Sequence, residues 1–150
     1  MKIGYKVCDA MTMKPVVVGP NTSIKDCARV MAENKVGSLI IKQNGKLLGI
    51  IKERDIVRSV VLENVNASKA KVKDYMVKRV VTISPEVDIY DALVEMRDED
   101  VRMLPVVDGK NLIGLLTVKD ILKIEPQLFE LLAEKLILRE EARKPIFSGR

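Results

Sequence analysis

The strongest constraint on the fold is an internal repeat with a spacing of 65 residues. The segment GIIKERD (49–55) returns as GLLTVKD (114–120), and VCDAM (7–11) returns as VKDYM (72–76). The spacing holds without a gap from one pair to the other. A repeat of this kind indicates two copies of one supersecondary unit that bury their apolar faces against each other.

Short β-branched and apolar runs predict three strands in each copy. The turns QNGK and DGKN join the second and third strands as hairpins, with Gly and Asn supplying positive φ angles. The predicted strands are residues 16–18, 38–42 and 47–52 in the first copy, and 80–83, 103–108 and 112–118 in the second.

A helix is predicted between the first and second strands of each copy. Ser23 and Asp88 are its candidate N-caps, each followed three residues later by Asp. A second, shorter helix is predicted after Asp55 and after Asp120. The longer helices have an apolar stripe at i, i+3, i+4 and i+7, which predicts burial of Ile24, Cys27, Ala28 and Met31, and of Ile89, Ala92, Leu93 and Met96.

One copy alone has too little sheet to cover both of its faces. We therefore predict a single α+β module with pseudo-twofold symmetry. Residues 1–62 form the first repeat, 63–71 a polar linker, and 72–125 the second repeat. Residues 126–150 predict an amphipathic helix and a tail, which dock either on this module or across a homodimer interface.

The composition excludes most catalytic and metal-binding machinery. The chain contains no histidine, which removes the usual general base and the commonest zinc ligand. The two cysteines, Cys8 and Cys27, cannot complete a zinc site, and Cys27 is predicted to pack as a small hydrophobic residue. No apolar run approaches the roughly 18–20 residues that span a membrane, and the N-terminus lacks a signal-peptide pattern. We expect a cytoplasmic protein without a metal site.

The charge is unevenly distributed. Residues 1–62 hold 11 basic and 5 acidic side chains, a net of +6, whereas residues 72–125 hold 8 basic and 11 acidic, a net of −3. The basic half is either an ordinary solvated surface or the approach for an anionic ligand or partner. Nucleic acid is a disfavoured partner, because aromatic residues make up only 3% of the chain and no reader motif is present.

The repeated segment carries groups that could hold a ligand. A Gly in the strand lets a ligand or another backbone come close. Thr117 and Asp120 place a hydroxyl and a carboxylate on one rim, where the helix start suits phosphate and the carboxylate suits a diol. The alternative is that the Asp only caps the helix.

The motifs VCDAM and VKDYM, VRMLPVVD and GLLTVKDI, in this order, resemble a tandem CBS-domain pair, or Bateman module, over about residues 5–125. The resemblance implies two β-α-β-β-α units packed through their sheets, and a regulatory module rather than an enzyme. It also implies a homodimer of such pairs and an unidentified regulated protein. The implied ligand is an adenosine compound held between the repeats, AMP, ADP or ATP first and S-adenosylmethionine second, with no required cofactor.

The resemblance assigns the ligand contacts residue by residue. It implies a ribose carboxylate at Asp120, with Asp55 as its symmetry mate, and a phosphate-side hydroxyl at Thr117. Base contacts in the Asp120 cleft fall on Val16, Gly37 and Ser38, and those in the Asp55 cleft on Val81, Arg102 and Met103. The implied phosphate contacts are Arg54, Arg102 and Lys119.

Lys52 departs from the pattern, because the other copy has Thr117 at this position. Either its charge selects a di- or triphosphate, or its ammonium fills the cleft and pairs with Asp55 or Glu53. We expect the Asp120 cleft to be the primary site. The alternative functions are a ligand-free dimerisation scaffold and a nucleic-acid-binding accessory protein that acts through the basic first repeat.

Overall fold

The computed structural model describes residues 2–128, and the two halves of this part fold alike. The first half contains α1 (Val7–Ala10), β1 (Val17–Val18), α2 (Ile24–Asn34), β2 (Ser38–Gln43), β3 (Lys46–Lys52) and α3 (Glu53–Val57), which a π-helical turn (Arg58–Leu62) extends. The second half contains a 3₁₀ turn (Val72–Asp74), α4 (Ile89–Asp98), β4 (Met103–Asp108), β5 (Asn111–Thr117) and α5 (Val118–Ile124).

Over these residues the strands form one sheet in the order β1-β2-β3-β5-β4. Each half contributes an antiparallel hairpin, and the hairpins meet at the pair Lys46–Asn111. The predicted turn chemistry is confirmed, since Asn44, Gly45 and Gly109 have positive φ angles. The mixed α+β architecture is therefore the one that the repeat predicted.

The predicted helix signals are largely confirmed. Ser23 Oγ accepts a hydrogen bond from Asp26 N (3.0 Å), and Asp88 Oδ1 accepts one from Tyr90 N (2.9 Å). Every residue of the predicted stripes is buried except Ala28, which is exposed. The prediction for Ala28 is wrong because α2 buries a narrower face than α4. Burial raises the pKa of the Cys27 thiol to about 11, which keeps it protonated and consistent with a packing role.

The first strand of the second copy is shorter than predicted. Residues 80–83 form only one parallel bridge, between Ile83 and Val106. In the first half Ile40 N donates to Val16 O (3.4 Å), but the equivalent of Ile40 is Pro105, which has no N–H to donate. Proline therefore removes one of the hydrogen bonds that would extend this strand.

The two short helices begin earlier than predicted. Glu53 opens α3 and Val118 opens α5, so Asp55 and Asp120 are the third residue of each helix rather than its preceding residue. In both cases the Asp carboxylate bonds back to the N-cap backbone, which fixes the start of the helix two residues before the Asp.

Each half completes the hydrophobic core of the other. Val7 is fully buried in the core of the second half, and Val72 is fully buried in the core of the first half. The backbone of Thr12 exchanges two hydrogen bonds with Leu115 (2.8 and 3.0 Å), and that of Val77 exchanges two with Ile50 (2.8 and 3.0 Å). We call residues 6–12 and 71–77 the crossing segments.

The predicted linker takes part in the packing of the first half. Ala67 O and Ala70 O accept hydrogen bonds from Lys25 N and Ile24 N, both at 3.0 Å, and so satisfy free amides at the start of α2.

The exact division into 1–62, 63–71 and 72–125 stays a prediction. Most of the predicted segment 126–150 lies outside the described residues, although Leu128 is buried in the second core.

None of the helices described between residues 2 and 128 is long and apolar enough to cross a membrane.

Two glycines make room for the crossing segments. A β-carbon on Gly49 would lie 2.7 Å from Val77 O and 2.8 Å from Met76 Sδ. One on Gly114 would lie 2.7 Å from Met11 Sδ and 3.0 Å from Thr12 O. The sequence allowed either a ligand or another backbone to lie against the repeated Gly. In the structure, the backbone of the other half lies there.

We predict that Gly49→Ala destabilises the fold by about 1–3 kcal/mol, because the new methyl group meets a backbone carbonyl that cannot move alone. Gly114→Ala should cost less, since its closest neighbour is the flexible Met11 side chain. Gly19→Ala is the matched control, because no atom lies within 4 Å of its β-carbon position. Urea unfolding measures all three, and an equal cost at Gly49 and Gly19 would contradict this account.

Asp88 ties the N-terminal segment to α4. Its carboxylate accepts hydrogen bonds from Ile3 N (3.1 Å), Gly4 N (3.0 Å) and Tyr90 N (2.9 Å). Burial alone would raise the pKa of Asp88, but these backbone donors favour the carboxylate and the net pKa lies below the usual 3.8. The stabilisation is therefore complete above pH 3.8 and is lost as the pH falls through that value towards the folded-state pKa.

We predict that Asp88→Asn lowers the free energy of unfolding at pH 7, and that the difference from wild type shrinks below about pH 4. Ser23→Ala is the matched control, because Ser23 is the equivalent N-cap and does not titrate. Ser23→Ala should lower the free energy of unfolding by about 1 kcal/mol, and this loss should not change with pH. Urea unfolding at pH 7 and pH 3 tests this, and a difference for Asp88→Asn that stays constant would refute the assignment.

Candidate functional site

Two clefts lie where the halves meet, and residues of both halves line each of them. One of them, here called the Thr117 cleft, corresponds to the predicted Asp120 cleft and has a volume of about 340 Å³. The other, here called the Lys52 cleft, corresponds to the predicted Asp55 cleft and has a volume of about 280 Å³. The first is lined by Thr12, Lys14, Pro15, Val16, Val36, Gly37, Ser38, Ile40, Met103, Leu115 and Thr117. The second is lined by Ile50, Lys52, Arg54, Val77, Arg79, Val80, Val81, Glu99, Val101 and Met103.

The clefts are related by the internal symmetry and share a wall. Residues 65 positions apart occupy equivalent places, such as Val16 and Val81 or Lys14 and Arg79. Ser38 Oγ lies 3.3 Å from the sulfur of its own symmetry mate, Met103, which lines both clefts. The crossing segments supply Thr12 to one cleft and Val77 to the other, so neither cleft exists within one half alone.

Eight of the twelve predicted site residues line these clefts. Val16, Gly37, Ser38 and Thr117 lie in the Thr117 cleft. The Lys52 cleft contains Lys52, Arg54, Val81 and Met103. Neither cleft is lined by the remaining four, which are Asp55, Asp120, Arg102 and Lys119. The structure therefore brings together most of the predicted contacts, and their roles in binding stay predictions.

Thr117 and Asp120 hold each other in a capping box. Thr117 N donates to Asp120 Oδ2 (2.9 Å), and Asp120 N donates to Thr117 Oγ1 (3.2 Å). Both side chains are half-buried. The capping role that the sequence left open is thus present, and it leaves Asp120 Oδ1 without a hydrogen-bond donor among residues 2–128.

The starts of the two short helices are less open to phosphate than the sequence suggested. Val118 N donates to Arg102 O (3.1 Å), and Glu53 N donates to Gly37 O (3.0 Å). The first amide of each helix is therefore already bonded to a backbone carbonyl. Ser38 begins β2 as predicted, and Lys35, with φ 54°, is the C-cap of α2.

Lys52 does not adopt the self-paired arrangement. Its backbone N donates to Asp55 Oδ2 (2.8 Å), but within residues 2–128 no ion pair joins its ammonium to Asp55 or Glu53. The Lys52 cleft also stays open, at about 280 Å³. Of the two alternatives for Lys52, the structure therefore does not have the one in which its ammonium fills the cleft and pairs with Asp55 or Glu53.

Several lining residues were not predicted from the sequence. Lys14 and Arg79 are the most informative of these, because each places a cation in its cleft. Their positions precede Val16 and Val81 by two residues, so the repeat spacing could have paired them. Glu99 was not predicted either, and its symmetry mate Asn34 does not line the opposite cleft. Residues 2–128 contain no group of three or more acidic or cysteine side chains that could hold a metal ion.

The pattern of the CBS domain matches the chain twice, at residues 7–62 and 72–126. The chain belongs to the CBS-domain family. Proteins of this family are generally regulatory modules rather than catalysts. The two matches coincide with the two copies that the 65-residue spacing defines, so the tandem pair predicted from the motifs is confirmed.

Relatives of this CBS pair are found in archaea and bacteria. An uncharacterised protein of Methanopyrus kandleri is 33% identical over 126 residues, which cover 82% of this chain and 64% of that protein. The CBS domain-containing protein YhcV of Bacillus subtilis is 30% identical over 115 residues, 77% of this chain and 81% of YhcV. The chain thus spans less than two thirds of the Methanopyrus relative.

Solved structures show the same fold. The crystal structure of CBSX2 in complex with AMP has a TM-score of 0.73 and 28% sequence identity, and the match covers 83% of this chain and 98% of CBSX2. The CBS domain protein NE2398 has a TM-score of 0.72 and 28% identity, with 80% of this chain and 97% of that one covered.

We predict that Lys52→Thr stabilises the CBS pair by about 0.5–1 kcal/mol. Lys52 and Thr117 are N-caps with nearly equal backbone angles, φ −112° ψ 160° and φ −116° ψ 162°. A threonine at 52 can therefore accept from Asp55 N as Thr117 accepts from Asp120 N. The reverse change in the other half, Thr117→Val, should cost about 1 kcal/mol. Urea unfolding measures both, and a destabilising Lys52→Thr would contradict the equivalence of the two caps.

Proposed function

We propose that this CBS pair is a regulatory module that binds an adenosine compound in the clefts between its repeats. The observation that carries the proposal is that both halves line each cleft, so that a bound ligand contacts both. A ligand that touches two units favours the arrangement of those units to which it binds best. The ligand would thus change the relative position of the repeats, and a partner protein would detect the change.

The Thr117 cleft has the composition expected for a nucleoside. Val16, Val36, Ile40 and Leu115 provide apolar surface for a flat base, and Ser38 and Thr117 provide hydroxyl groups. Asp120 Oδ2 accepts from the backbone N of the lining residue Thr117 (2.9 Å), and the other oxygen of this carboxylate can accept from a ribose hydroxyl. The AMP complex of CBSX2, with the same fold at 28% identity, supports the choice of an adenosine compound.

The proposal also covers the identity of the ligand, the absence of catalysis, the compartment and the partner. AMP, ADP and ATP are the favoured ligands and S-adenosylmethionine is the second choice. The module has no catalytic activity, needs no cofactor, acts in the cytoplasm and controls a protein that remains to be identified. The last residue of α3 and the π-helical turn that follows it expose Val57, Val61 and Leu62, at 55%, 70% and 77%, and this apolar surface favours pairing of two copies.

The same surface also favours a second candidate, a dimerisation scaffold that binds no ligand. In that case Asp55 and Asp120 only cap helices, as their hydrogen bonds allow. The two candidates differ in whether the clefts are occupied, so a binding measurement separates them.

We predict that protein freed of bound small molecules releases or absorbs heat with at least one of ATP, AMP and S-adenosylmethionine in titration calorimetry. Asp120→Ala should weaken the binding that takes place in the Thr117 cleft by about tenfold or more, because a charged acceptor for the ribose is lost. No heat with any of the three compounds would leave the scaffold as the better account.

Asp9→Ala is the matched control for this variant. Asp9 Oδ2 accepts from Lys6 N (2.9 Å) at the start of α1, which is the same capping contact that Asp120 makes with Thr117 N. Thr117 lines a cleft, whereas Lys6 lines neither of the two. Removal of the Asp9 carboxylate should leave the affinity unchanged. An equal loss in both variants would show that Asp120 acts only through the helix cap.

A further inference from the structure

The two clefts share a scaffold but differ in charge. Lys52, Arg54 and Arg79 line the Lys52 cleft together with one acid, Glu99. Lys14 is the one charged side chain among the described residues that line the Thr117 cleft. Within residues 2–128 no ion pair neutralises Lys52, Arg54 or Arg79. Cations gathered in a cleft concentrate the field there and attract anions.

A carboxylate lies close to the other cleft. Glu53 Oε2 is 3.5 Å from the position that a β-carbon on Gly37 would occupy, and Gly37 lines the Thr117 cleft. The equivalent of Glu53 in the second half is Val118, which has no charge. Glu53 therefore adds negative charge beside the Thr117 cleft. Its symmetry mate adds none beside the Lys52 cleft, where Glu99 is the one acid among the described lining residues.

From this difference we propose that the two clefts select different adenosine compounds. The Lys52 cleft takes a polyphosphate, such as ATP, whose charge Lys52, Arg54 and Arg79 neutralise. The Thr117 cleft takes a compound with little or no negative charge, such as adenosine. This inference rests on the proposed function, and it reverses the sequence-based expectation that the Thr117 side is the primary site for a nucleotide.

The test assigns each ligand to a cleft by the methyl signals of two valines. Val16 lines only the Thr117 cleft and Val81 only the Lys52 cleft, and they are symmetry mates. Methyl-labelled protein is titrated with ATP, AMP and adenosine in buffer without divalent cations. ATP should shift the Val81 signals at a lower concentration than it shifts the Val16 signals. Adenosine should shift the Val16 signals at a lower concentration than it shifts the Val81 signals.

Two variants should change the ATP affinity in opposite directions. Lys52→Gln should weaken ATP at the Val81 signals by about tenfold, the effect of losing one charged contact. Glu53→Gln should strengthen ATP at the Val16 signals by roughly threefold, since one screened repulsion is removed. Lys25→Gln is the matched control, because Lys25 is an exposed lysine of α2 that lines neither cleft.

The outcomes separate this inference from the proposed function. Binding of ATP with equal affinity at both valines, or an ATP affinity unchanged by Lys52→Gln, would overturn the assignment of charge classes and leave adenosine binding in place. If none of the three compounds shifts either valine, and S-adenosylmethionine shifts neither as well, both proposals are wrong. A loss of ATP binding in Lys25→Gln equal to that in Lys52→Gln would also overturn the assignment, because general surface charge would then explain it.

Discussion

The contact on which both clefts depend is the backbone pairing between each crossing segment and the glycine-bearing strand of the opposite half. Val77 pairs with Ile50 beside Gly49, and Thr12 pairs with Leu115 beside Gly114. Because glycine has no β-carbon, the crossing backbone can lie directly against the strand. The same segments place Val7 and Val72 in the opposite cores, so the two halves cannot separate without exposing apolar surface.

This arrangement explains why a regulatory ligand would bind between the halves rather than inside one of them. The crossing segments supply Thr12 to one cleft and Val77 to the other, and the hairpins supply further lining residues to both. Met103 lines both clefts, and its sulfur lies 3.3 Å from the hydroxyl of its symmetry mate Ser38. A ligand that fills either cleft would lie in a space that Met103 borders.

Much of this fold follows from local sequence signals. The repeat spacing, the turn residues and the N-caps Ser23 and Asp88 predict the elements because each depends on neighbouring residues. The exchange of Val7 and Val72 between cores was not predicted, because it depends on contacts between residues of different halves of the chain. The weak first strand of the second half was missed for a simpler reason, since the missing N–H of Pro105 matters only once its parallel neighbour is known.

The site was predictable in part for the same reason. The repeat and the family resemblance located eight residues of the two clefts, but they said nothing about side-chain direction. Lys52 could have turned towards Asp55 or into the cleft, and the sequence cannot distinguish these. The position of the Glu53 carboxylate beside Gly37 likewise depends on the contact between the start of α3 and Gly37, where Glu53 N donates to Gly37 O (3.0 Å). Charge in the clefts is thus a property of the folded chain.

The central claim is that an adenosine compound occupies the space between the two repeats. A crystal structure of this chain grown with AMP tests it most directly. The account predicts density for the nucleotide in at least one cleft, with its base against Val16 or Val81 and in contact with both halves of the chain. Density for AMP only outside the two clefts, or well-ordered clefts that hold only water at saturating AMP, would contradict it.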